Sequence, residues 1–196
     1  KDRLYCGDAA GRRSAQTALY VILDGMTRLI APILAFTSDE IWHAMGHAKD
    51  VDASSVLLND MPAASEAYTL GEEEKNRWTR LVSLRDAVNR ALENARAAGV
   101  FKKAQDTEVT LSVSAEDAAF LEGVDLASLC IVSKVTVTTG AIEGEQSADC
   151  LVPCTIAVRF SEAPKCPRCW NHNEHIGTEG HHAELCDRCA AVVEGK

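Results

Sequence analysis

The chain is predicted to be an α+β protein in several parts: a helical bundle, a small α+β module with a three-stranded sheet, and a C-terminal four-cysteine zinc-knuckle module. Three observations predict this. Apolar residues recur at three-and-four spacing over much of the first hundred residues, and the period switches to two after Gly99. Near the end, Cys166, Cys169, Cys186 and Cys189 fall in the order C-x2-C, sixteen residues, C-x2-C. The corresponding divisions are 1–99, 100–162 and 163–196.

In the first part, Ala15, Ala18, Leu19, Ile22, Met26, Leu29 and Ile30 predict a helix over 12–31 with one buried face, which Pro32 ends or kinks. Thr37 and Glu40 form a capping-box pattern ahead of Ile41 and Trp42, so a short second helix is expected there. Residues 46–71 lack periodicity and read as a loop with one short element at Val56–Leu58. The strongest helix signal runs over 72–98, with Trp78, Leu81, Leu84, Val88, Leu92 and Ala95 on one face and Gly99 at the terminating position. Beyond it, alternation predicts three strands, around Val109–Val113, Val135 and Val137, and 154–160, with a helix at Ala115–Leu121 between the first two. An acidic loop over 140–149 joins the second strand to the third, and Ala163-Pro164 leads into the cysteines.

Net charge is −9, unevenly distributed. Only residues 72–105 are basic in balance, with eight cationic and five acidic side chains, whereas 106–163 carry two and ten. A nucleic-acid surface would therefore be local and selected by shape. Arg77, Arg80, Arg85, Arg90 and Arg96 lie off the apolar set of the long helix. They read either as a solvated face laced with acidic partners or as a ridge facing phosphates, with Arg80 and Arg85 as candidate contacts. No run is long enough to span a membrane and no signal peptide opens the chain, which begins at Lys1 as if excised from something longer. Scattered Cys6, Cys130, Cys150 and Cys154 beside a zinc pattern suit a reducing cytoplasm rather than disulfides.

Two chelating turns can offer four thiolates to one tetrahedral zinc ion, and a complete set leaves no open position for a bound water. The expected zinc is thus structural, with Cys166, Cys169, Cys186 and Cys189 as ligands. Trp170 follows the second ligand and either packs as a lid under the metal loop or presents its face to an unstacked base. Arg168 and Arg188 occupy equivalent places in the two turns and, with Lys165, could flank such a base. His172, His175, His181 and His182 read as loop surface. His175-Ile176-Gly177-Thr178 lies inside the metal loop and is not a nucleotide-binding signature. The chain has no glycine-rich phosphate loop and no nucleophile with an attendant base, so no catalytic residue is assigned.

These residues together resemble the C-terminal part of a bacterial-type isoleucyl-tRNA synthetase. Lys1-Asp2-Arg3-Leu4-Tyr5-Cys6, Arg12-Arg13-Ser14-Ala15-Gln16-Thr17-Ala18, the run Leu29 to Trp42, and Arg85 to Glu93 are similar to its anticodon-binding domain. Lys165-Cys166-Pro167-Arg168-Cys169-Trp170 and Leu185-Cys186-Asp187-Arg188-Cys189 are similar to its terminal zinc module. Phe101-Lys102-Lys103-Ala104 departs from the Gly-Lys-Ser-like turn frequent in that family. The resemblance implies a monomeric cytoplasmic ligase whose other domains bind ATP and isoleucine and edit valine, while this part grips tRNA and holds one zinc ion. Two alternatives are kept: the zinc finger of formamidopyrimidine-type DNA glycosylases, and a structural zinc module for contacts between domains.

Overall fold

The computed structural model describes residues 2–177 and 182–195. They form two compact units, Lys1–Thr69 and Leu70–Lys196.

The first unit is helical. A short helix α1 (Asp2–Tyr5) precedes α2 (Ala9–Ile30), whose start is capped by the Asp8 carboxylate accepting the Gly11 N–H at 2.6 Å. α2 ends at Ile30, two residues before Pro32, as the missing proline donor requires. The expected buried face is not buried: Leu19, Ile22, Met26 and Leu29 are all more than half exposed, and Thr27 is the one buried residue of the helix. The periodicity is present, but no other element of this unit covers it.

α3 (Ala35–Ala44) begins earlier than the capping box implied, so Thr37 lies inside it and Leu34 caps it without a side-chain bond. Asp39 does different work. Its carboxylate accepts from the Ser55 hydroxyl at 2.7 Å and the Val56 N–H at 3.3 Å, pinning the 3-10 turn Val56–Leu58 against α3. That turn completes a small core of Ala31, Trp42 and Val56, with the Trp42 indole N–H donating to the Asp52 carbonyl at 3.1 Å.

The second unit opens with α4 (Glu72–Ala97), ended by Gly99 at φ +78°, the left-handed geometry glycine adopts without a Cβ penalty. Leu81, Leu84, Ala87, Val88, Ala91 and Leu92 are its buried face, and they share one core with the strands. Trp78, expected on that face, is 50% exposed, because the core ends at Leu81.

The sheet has four strands, not three. β1 (Thr107–Val113) is central, parallel to β2 (Lys134–Thr138) and antiparallel to β4 (Cys154–Phe160). β3 (Glu145–Ser147) adds to the far edge of β4, in the order β2-β1-β4-β3. Only three residues long and polar, β3 has no alternation to read; it exists through its pairing with β4. The parallel β1–β2 connection needs a crossover, supplied by α5 (Ala115–Leu121) and α6 (Leu126–Cys130). Val109, Leu111 and Val113 of β1 and Ile156 of β4 point into the core. Seven helices stand among the described residues; the last, α7 (Asp187–Val193), closes the chain.

Candidate metal centre and the surface it builds

The first cysteine turn is a tight hairpin. Cys166 donates its N–H to the Asn171 carbonyl at 3.0 Å, Trp170 donates to the Cys166 carbonyl at 2.8 Å, and Lys165 bridges His172. The second turn is aligned by the bridge between Ile176 and Cys186 and by the Gly177 N–H on the Leu185 carbonyl. Gly177 is required there. Its φ is +76°, and a Cβ would lie 2.6 Å from the Ala183 carbonyl oxygen. Cys186 then caps α7, which carries Cys189 one turn along.

All eight cysteines are unbridged. Burial pushes the Cys154 thiol up to about 12 and, despite Arg85 nearby, the Cys130 thiol up to about 11, which suits inert packing. The four terminal cysteines differ in being gathered together. Their sulfurs lie within 4.8 Å of one another, Cys169 and Cys186 at 3.9 Å, and all four are buried. Four thiolates at Zn–S distances of about 2.3 Å in a tetrahedron stand about 3.8 Å apart, so the donor set fits zinc in number, kind and spacing.

The thiol chemistry agrees. Burial raises Cys166, but N–H groups of Cys169, Cys186 and Arg168 aimed at its sulfur outweigh it and lower the thiol to about 6. Burial and the neighbouring sulfurs push Cys169 up to about 11 and Cys186 further. One thiolate is thus prepared by the backbone, while full ionisation of the set needs a cation among the sulfurs.

Around this centre the predicted contact residues fare differently. Trp170 is 61% exposed and holds φ +66°, a left-handed conformation unusual for a bulky side chain. It is not a lid. Arg188 is exposed and Arg168 half-buried. Lys165 pairs with Asp106, which lies outside the metal loop. On α4, Arg80 pairs with Asp117 at 2.7 Å and sits 3.8 Å over the Phe120 ring, and Arg85 donates to the Leu129 carbonyl at 3.1 Å. Both are half-buried and engaged within the fold, whereas Arg77 and Arg90 on the same helix are exposed.

His172, expected on the loop surface, is 9% exposed at its side chain and bonded on both ring nitrogens. Asp106, Ser133 and His172 form a network that residue spacing did not announce. His181 lies outside the described residues.

One unit is helical, and the other is a small mixed sheet with one long helix and a four-thiol knuckle; together they define a binding module with a zinc-type centre. Family models sharpen that class. Residues 1–111 match the anticodon-binding domain of tRNA ligase, and residues 164–192 match the zinc finger found in FPG and IleRS. The chain belongs to the anticodon-binding-domain family of tRNA ligases and carries, beyond it, that zinc finger. Over its whole length it is 39% identical to the isoleucine–tRNA ligase of Desulforudis audaxviator, of which it spans 21%. Over 99% of its length it is 40% identical to that of Staphylococcus epidermidis, again spanning 21%. The chain thus spans about a fifth of the curated relatives it matches. The finger alone is common to glycosylases and ligases; the match over 1–111 and the full-length similarity decide for the anticodon-binding and zinc-finger region of isoleucyl-tRNA synthetases.

Proposed function

We propose that this chain is the part of an ATP-dependent isoleucine–tRNA ligase that grips isoleucine-specific tRNA, with one structural zinc ion held by Cys166, Cys169, Cys186 and Cys189. The observation that carries the reading is Trp170, an exposed indole held at positive φ directly after the second metal-type cysteine, Cys169. A base stacked there would contribute roughly 1–3 kcal/mol. Arg168, Arg188 and Lys165 are the nearby cations, and Arg80 and Arg85 further candidates whose acidic and carbonyl partners argue for a supporting role. Zinc supplies a fixed scaffold with all four positions filled by protein.

In this reading the work divides among residues 1–99 for anticodon-side binding, 100–162 as junction and 163–196 as the zinc module. The ligase's catalytic and editing domains, in other parts of the polypeptide, bind ATP and isoleucine. The protein works as a cytoplasmic monomer; no helix among the described residues is long and apolar enough to cross a membrane. Binding energy realised at this distance places the acceptor end at the active site.

The test is fluorescence anisotropy of labelled isoleucine tRNA and a non-cognate tRNA titrated with the zinc-loaded chain, before and after chelation. Zinc-dependent preference for the cognate tRNA, lost about tenfold in Trp170→Ala, is expected. Equal binding of both tRNAs, unaffected by chelation, would count against the proposal.

A further inference from the structure

We infer that His172 is a positioning residue: bonded through its ring to the Ala163 carbonyl and the Asp106 carboxylate and through its backbone to Ser133, it locks the Trp170 turn onto the start of β1.

The geometry is specific. Nδ1 stands 2.6 Å from the Ala163 carbonyl oxygen and Nε2 3.2 Å from Asp106 Oδ1. The ring thus spans two oxygens, one on the segment leading into the metal loop and one just ahead of β1. Burial works against the Asp106 carboxylate, but Lys165 and His172 hold it below its usual range and so keep it ionised. Lys165 and His172 are bridge partners on the two arms of the turn, and both reach the same carboxylate. The backbone adds a second tie. His172 donates its N–H to Ser133 Oγ at 2.7 Å, and Ser133 donates its hydroxyl to Gln105 and its N–H to Thr107. The Phe160 ring closes the pocket with its centroid 5.8 Å from that of His172, edge to face.

Only Asn171 stands between His172 and Trp170, so the clamp's rigidity passes to the indole through a hairpin already closed by the Trp170–Cys166 backbone bond. A side chain without the ring cannot span both oxygens and leaves Lys165 alone on Asp106. The consequence for tRNA rests on the reading of Trp170 given above; the clamp itself does not.

The zinc-loaded chain, labelled with 15N-histidine and 5-fluorotryptophan, provides the test, with the Trp170 fluorine resonance assigned by Trp170→Phe. In Asp106→Asn, which preserves size, the His172 ring nitrogen resonances should shift. His172→Gln and Asp106→Asn should each move the Trp170 resonance, leave those of Trp42 and Trp78 in place, retain zinc, and weaken tRNA binding about tenfold. His172 ring nitrogens unmoved in Asp106→Asn, or a Trp170 resonance unmoved in both variants, overturns the inference. If His172→Gln fails to fold, Asp106→Asn carries both readouts. Should Trp170 move in the variants while Trp170→Ala binds tRNA as the parent does, the clamp stands and the tRNA reading falls.

Discussion

α2 and α4 carry nearly the same apolar periodicity and meet opposite fates. α4 buries six residues against a sheet, while α2 leaves Leu19, Ile22, Met26 and Leu29 more than half exposed. The spacing of apolar residues fixes which side of a helix is suited to burial, and only a packing partner makes that side a core. In Leu70–Lys196 the partner is on hand, as β1 and β4. In Lys1–Thr69 the core reduces to Ala31, Trp42 and Val56, and the free face of α2 belongs to a chain a fifth as long as its relatives.

Truncation at matched positions separates the two helices. Leu84→Ala, at a fully buried site, should cost about 2–5 kcal/mol in urea unfolding. Ile22→Ala, at a site 57% exposed, should cost under about 0.5 kcal/mol in the same chain. Similar losses at both positions would mean that the α2 face is covered in solution.

Metal removal divides the second unit more finely. Structural zinc commonly supplies the folding free energy of such knuckles. Cys186→Ser should therefore abolish zinc binding and hydrogen-exchange protection over the cysteine turns while α4 and β1 stay protected. In a complete ligase the same variant should slow aminoacylation and spare adenylate formation, and loss of adenylate formation would contradict the division of labour proposed above.

The smallest expected effect concerns acid stability. Glu108 accepts from Ser161 at 2.7 Å and pairs with Arg159; the Ser161 bond outweighs burial and, with Arg159 and Lys134, holds its carboxyl below the usual glutamate range. A carboxyl whose folded pKa is depressed stabilises above its unfolded pKa, and that contribution is lost as pH falls through the folded value. Glu108→Gln should thus flatten the acid-side decline in stability, followed by melting temperature below about pH 5. A parallel slope in variant and parent would show that the pair contributes nothing measurable.

Local signals were legible wherever chemistry was local. The zinc spacing announced four cysteines that do converge, Pro32 and Gly99 stand just past real helix ends, and alternation located the β1, β2 and β4 strands. β3 was invisible because its three polar residues owe their conformation to β4. Arg80 and Arg85 looked like part of a basic ridge, since nothing in the spacing reveals that Asp117 and the Leu129 carbonyl lie alongside. His172 looked like loop surface for the same reason: its partners are 66 and 39 residues away at Asp106 and Ser133.

The zinc-type ligand set, the long helices and the family are legible in the chain, because each is written in short-range spacing or in similarity along it. The tertiary structure alone decided which apolar faces are covered, which arginines are already paired, and that Trp170 stands out in solvent on a turn braced by His172. Those outcomes depend on groups brought together across many residues, where burial, hydrogen-bond partners and charge are set by packing rather than by neighbours in the chain.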